Sequence, residues 1–222
     1  QLTLRALNDA LTDRIGDESR GRQAEVVAEI DDVREAWMEN WRPKLESEET
    51  PINPYRVINE LDRVIDKEEV IITHDAGNVR DFLAPFFEVT EPLSYIGWGK
   101  TTQLGYGLGL AMGAKLLHPE KLCLNVWGDG AIGMTGMDFE TAVREDIPIL
   151  SILLNNFEMA AYDTPFSGHY ADFAESLGGH GERVEDPDEI APAIERGIAS
   201  TENGVPTLLE FITSKETALS TF

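Results

Sequence analysis

Residues 125–156 read NVWGDGAIGMTGMDFETAVREDIPILSILLNN. The apolar stretch ending at Trp127 breaks into Gly128-Asp129-Gly130. A helical pattern and a second apolar stretch follow, and these stop at Asn155-Asn156. Two strands without polar alternation, joined by a helix, predict a parallel unit buried on both faces. Ligands of such sheets sit beyond the carboxyl ends of the strands. Here one end carries an acid and the next a pair of amides. Asp129 offers a hard anionic oxygen and Asn156 a neutral one, the donors that Mg²⁺ and Ca²⁺ prefer. One carboxylate alone holds such a cation poorly, and a diphosphate would supply the missing charge. Gly128 and Gly130 permit close backbone approach, and the helix that follows turns its N-terminus toward an anion. Gly-Asp-Gly and Asn-Asn are each ordinary turn chemistry when taken separately. Their spacing across one helix and one strand is what points to a shared site.

The alternation extends outward from this unit. Strands are predicted at 68–73 (EEVIIT), 122–127 (LCLNVW), 149–155 (ILSILLN), near Arg183-Val184, and at 206–213 (PTLLEFIT). Helical patterns fill 54–65, 79–87, 103–117, 135–145, 171–177 and 187–200. The fold class is therefore α/β, a three-layer α/β/α arrangement around a mostly parallel central sheet. A third loaded strand end, THDAGN at 73–78, should lie beside the other two. Residues 1–50 read differently, as a helical arm. Leu2, Leu4, Leu7 and Leu11 share one face, and Val26, Val27, Ile30, Val33, Trp37 and Trp41 follow helical spacing. The polar run ESEETPINP at 46–54 contains two prolines, and a boundary is expected there, between 1–50 and 51–222.

Composition narrows the classes. The 222 residues hold 41 acids and 18 bases, a net charge of −23, which disfavours nucleic acid as a partner. Acids spread along the whole chain suggest a halophilic source. No apolar run reaches the ~18 residues of a membrane span. The single Cys123 lies in an apolar strand, so a buried thiol and a cytoplasmic address are expected. The chain starts without Met, which suggests part of a longer protein. There is no G-x-x-x-x-G-K-[ST] loop and no G-x-S-x-G elbow, and His74, His118, His169 and His180 lack zinc spacing.

Gly128-Asp129-Gly130 followed after about 25 residues by Asn155-Asn156 resembles the thiamine diphosphate signature. DAGN at 75–78, QLGYGLGLAMGAKL at 103–116, GDGAIGMTGMDFETAV at 128–143 and GGHGERV at 178–184 extend the likeness in the same order. Together they resemble the C-terminal, diphosphate-binding domain of the acetolactate synthase-like group. The resemblance implies thiamine diphosphate and Mg²⁺ as cofactors. Asp129, the side chain of Asn156 and the backbone carbonyl of Glu158 would be the metal ligands. Gly77, Asn78, Val79, Gly128, Gly130 and Ala131 would lie along the diphosphate. Thr102, Gln103 and Leu104 would border the aminopyrimidine, with Met159 and Ala160 also near the cofactor. Met134 would be an apolar wedge beneath the thiazolium ring, although plain core packing also suits it. The implied reaction is decarboxylation or carboligation of a small 2-oxo acid.

In this group a Glu facing the pyrimidine sits in a separate N-terminal domain, and no counterpart is found here. The resemblance thus implies a missing pyrimidine-binding domain in the same or another chain, a homodimer or homotetramer, and little activity in isolation. A natural β subunit of a two-chain decarboxylase is an alternative. Another is a receiver-like signalling domain, since Asp75 and Asp129 both stand at strand ends. A third is a non-enzymatic interaction domain.

Overall fold

Five strands carry most of the sheet, and three of them are buried along their whole length: β1 (Val70–His74), β4 (Leu150–Asn155) and β8 (Thr207–Ile212). β3 (Leu122–Gly128) is buried except at its two ends, whereas β7 (His180–Val184) is mostly half-exposed. With the two-residue β2 (Tyr95–Ile96) they form a parallel sheet in the order β2-β1-β3-β4-β8-β7. A separate antiparallel pair joins β5 (Glu158–Met159) to β6 (Thr164–Pro165). The computed structural model describes residues 2–16, 21–99, 103–159 and 164–220.

The chain divides into two compact units, Gln1–Pro43 and Lys44–Phe222. The first holds α1 (Leu2–Ile15) and most of α2 (Gln23–Leu45), in which the Trp37 and Trp41 rings lie 6.2 Å apart. The second holds the sheet and the helices α3 (Pro54–Val64), α4 (Asn78–Leu83), α5 (Tyr106–Leu117), α6 (Asp129–Thr135), α7 (Asp138–Arg144), α8 (Tyr170–Ser176) and α9 (Ile190–Glu202). The polar run 46–54 belongs to this second unit, where Ile52 bridges Thr213. α3 starts where local chemistry dictates. Asn53 caps it by accepting from the Tyr55 N–H at 3.1 Å, and Pro54 takes the first turn, where no N–H is needed.

Alternation along the strands builds the three layers. Ile71, Cys123, Trp127, Ile149, Leu153 and Leu208 cluster with apolar residues of α5, α6, α7 and α8. Leu150 and Leu209 meet α9 instead, close against Gly197, where a Cβ would come within 3.0 Å of both side chains. α3 packs on α9 and α4. The chain leaves β1 toward β2 on one side and later returns to lay β3 on the other. The switch point therefore falls between β1 and β3, where α/β sheets open a crevice at their carboxyl ends. Among the described residues no helix is long and apolar enough to cross a membrane.

Candidate functional site

A cavity of about 310 Å³ opens at that switch point. One wall is Gly77, Asn78 and Val79, at the β1–α4 connection. Gly77 has φ of +85°, which turns the chain from strand to helix in a conformation that glycine adopts without strain. A second wall is Gly128, Asp129, Gly130 and Ala131, where β3 runs directly into α6. A third is Asn156, Glu158 and Met159, beyond the end of β4. Leu104 closes an apolar side with Met159. A Cβ on Gly130 would stand 3.1 Å from Met159 Cε and 3.6 Å from Leu104 Cδ1.

Asp129 and Asn156 converge. The backbone N–H of Glu158 donates to Asp129 Oδ2 at 3.1 Å and to Asn156 Oδ1 at 3.0 Å, so one donor is shared by an acid and an amide from different loops. Asp129 Oδ1 accepts from the Gly130 N–H at 2.8 Å. Asp129 as a residue is only 5% exposed. Burial pushes its pKa up to about 6, although the Gly130 N–H and the Asn156–Phe157 backbone pull the other way. A buried acid whose charge is incompletely offset suits a cation. Among the described residues no three His, Cys, Asp or Glu gather in a way that could hold a metal. A cation here would depend on one carboxylate, neutral oxygens and the ligand's own oxygens, as Mg²⁺ sites on phosphates commonly do. The Glu158 carboxylate is engaged by Lys215, which leaves the backbone of Glu158 as the part facing this site.

Not every expected residue arrives at the cavity. Met134 is 63% exposed and does not line it. Leu104, Val79, Phe82, Leu154 and Met159 are among the apolar residues that line the cavity. Gln103 is exposed and also lies off the lining. Thr102 and Ala160 lie outside the described residues. Asp75 is fully buried away from the cavity. It accepts from the Ala76 and Gly105 N–H groups at 2.8 Å and from Gly107 at 3.0 Å, and so fixes the turn into α5. That removes the acidic pair on which a receiver-like pocket would depend.

Thr213 and Ser214 line the cavity as well and were not anticipated. They follow β8, whose last residue Ile212 is in register with Asn155. The position of β8 beside β4 was the available signal, but the strand end itself carries only hydroxyls.

Comparison with known proteins agrees with this geometry. Residues 75–211 match the family model described as thiamine pyrophosphate enzyme, C-terminal TPP binding domain. An acetolactate synthase large subunit of Mycobacterium tuberculosis is 29% identical over 191 residues, covering 80% of this chain and 34% of the relative. An acetolactate synthase large subunit of Haemophilus influenzae is 30% identical over 189 residues, covering 76% and 33%. A sulfoacetaldehyde acetyltransferase of Alcaligenes xylosoxydans is 25% identical over 249 residues, covering 96% and 41%. The chain thus spans about a third of the length of the curated relatives it matches. The order of the loaded strand ends, the cavity between them and the match across 75–211 place the chain in the thiamine pyrophosphate enzyme family, as a C-terminal cofactor-binding domain of the acetolactate synthase-like group.

Proposed function

We propose that the cavity binds thiamine diphosphate through Mg²⁺, and that the protein acts on a 2-oxo acid by decarboxylation or carboligation. The observation that carries this reading is the convergence of Asp129 and Asn156 on one N–H at the cavity wall. In this reading Asp129 and Asn156 Oδ1 hold the cation, with the Glu158 carbonyl as a third protein ligand. Gly77, Asn78, Val79, Gly130 and Ala131 form the surfaces along the diphosphate. Leu104 and Met159 supply an apolar surface for the rings and exclude water from them, which strengthens every electrostatic contact inside. When bound, thiamine diphosphate supplies a carbon nucleophile and an electron sink for the 2-oxo acid. Relatives named acetolactate synthase and sulfoacetaldehyde acetyltransferase support two-carbon transfer as readily as simple decarboxylation.

The chain matches about a third of those relatives, so the other half of the cofactor is expected to meet a second, pyrimidine-binding domain in a homodimer or homotetramer. Calorimetry with thiamine diphosphate and Mg²⁺ tests the proposal. The wild type should bind only with both present, and Asp129→Ala should lose about tenfold or more in affinity. Cation-independent binding, or an unchanged affinity in the variant, would overturn it.

A further inference from the structure

Glu210 occupies the middle of β8 with its side chain fully buried, in register with Leu153 of β4 and Arg183 of β7. A carboxylate removed from water needs donors at both oxygens. Glu210 finds two. Oε1 accepts from Asn155 Nδ2 at 2.7 Å, and Oε2 accepts from the Ala171 N–H in the first turn of α8 at 3.0 Å. Asn155 is equally buried, and its Oδ1 accepts from the Phe157 N–H at 3.0 Å. The bonds therefore run from the sheet interior to the turn that presents Asn156 and Glu158. That turn is demanding. Phe157 has φ of +58°, which a bulky residue holds only where its surroundings over-determine it.

The chemistry of the partner matters here. A carboxylate has acceptors only, so it obliges Asn155 to offer Nδ2 and leaves Oδ1 for Phe157. Were the amide reversed, Nδ2 would meet the Phe157 N–H and Oδ1 would meet the acid. We infer that Glu210 is a positioning residue for the cation: by fixing the Asn155 amide it sets the Phe157 turn and thereby the aim of Asn156 at Asp129. This rests on the cation reading proposed above. Glu210 is not among the residues that line the cavity.

Three variants test it: Glu210→Gln, Asn155→Asp, and the two combined. In Glu210→Gln the new amide can still accept from Asn155 only by turning its own nitrogen toward the Ala171 N–H. Asn155→Asp sets two acids face to face. In the double variant the amide nitrogen introduced at position 210 donates to the carboxylate introduced at position 155. The new amide oxygen then accepts from the Ala171 N–H, and the new carboxylate accepts from the Phe157 N–H. All three hydrogen bonds return, the one between the two side chains with reversed polarity, and the number of acids is unchanged. Mg²⁺ and Ca²⁺ affinities would be measured by calorimetry with thiamine diphosphate, alongside urea denaturation.

Each single variant should weaken Mg²⁺ about tenfold. Ca²⁺ should weaken less, because Mg²⁺ demands near-ideal octahedral geometry and Ca²⁺ tolerates distortion. The double variant should return both affinities close to wild type. Singles that lower the urea midpoint with no change in Mg²⁺ affinity or in the Mg²⁺/Ca²⁺ ratio overturn the inference. So does a double variant no better than the worse single. Should Asn155→Asp not fold, recovery from Glu210→Gln to the double variant decides the matter alone. A wild type that binds no cation overturns the underlying reading, and is told apart by that result.

Discussion

Asp129 gathers the site's charge, and its environment gives a signed pH dependence. Burial lifts its pKa from 3.8 to about 6. Without a cation, the folded protein keeps this proton where the unfolded chain has lost it, so the group's contribution to stability falls as pH rises through that window. Relative to Asp129→Ala, the wild type should lose on the order of 3 kcal/mol between about pH 4 and about pH 7, read as urea midpoints in chelator. A bound cation reverses the sign, because it needs the deprotonated acid. Cation affinity should be level above about pH 6 and fall roughly tenfold per unit below it, and a flat profile down to about pH 5 would refute this. Two glycines separate strain from crowding. Gly77 has φ of +85° and ψ of −158°, a region that is essentially glycine-only, with no atom within 4 Å of an added Cβ, so Gly77→Ala should cost about 1–3 kcal/mol from the backbone alone. Gly105 has φ of +94°, and its Cβ would meet Thr135 at 2.7 Å. The Thr135 hydroxyl donates to the Gly105 carbonyl at the same separation of 2.7 Å. Gly105→Ala should therefore be the more destabilising of the two in urea, while Gly77→Ala should affect cofactor binding more. The reverse ranking would show that crowding at Gly105 is relieved cheaply.

At the scale of elements, legibility followed burial. β1, β3, β4 and β8 were readable because both faces are covered, which leaves unbroken apolar runs. β7 lies at the sheet edge with His180, Glu182 and Arg183 partly in solvent, and only its end at Arg183-Val184 carried a signal. β2 is two residues long, too short for any period. The helix expected over 135–145 is α7, which begins at Asp138, and a separate helix, α6, precedes it. α6 begins at Asp129 itself, in a glycine-rich run whose low helix propensity hid it. Asp129 and Asn156 were legible because residue type and spacing identify them. Leu104, also expected at the site, lines the cavity, while Met134 does not. The segment after β8 was equally silent, yet it is tied down. The Tyr55 hydroxyl donates to the Ala218 carbonyl at 2.7 Å, and Glu216 accepts from Lys44, from Asn53 at 3.4 Å and from the Ala218 N–H at 2.8 Å. Burial alone would raise the Glu216 carboxyl, but Lys44 and the other donors hold it below its usual range. A depressed acid contributes stability that is present above its unfolded pKa and is lost as pH falls through the folded one. Glu216→Gln should cost about 2 kcal/mol at neutral pH, with the gap to wild type closing in acid. An equal deficit at both pH values would mean that packing, not charge, anchors this segment.

For the molecule as a whole the governing quantity is the net charge of −23. Two salt effects oppose each other. Added salt weakens surface ion pairs such as Arg196 with Glu182 and Glu189, or Arg144 with Glu140. Exposed pairs of this kind are worth about 0–1 kcal/mol each, and not every one contributes. Added salt also screens repulsion among the excess acids, which acts across the entire surface and shortens to a range of ~3 Å at about 1 M. With 41 acids against 18 bases, most carboxylates have no base to pair with, so the second effect should win. The melting temperature should therefore climb as KCl is raised from low to molar concentration, the behaviour expected of a halophilic protein. Chelator must be present throughout, so that trace divalent cations at Asp129 do not mimic the effect. A melting temperature that drops with KCl would mean that the ion pairs outweigh the repulsion, and would remove the case for a salt-adapted surface.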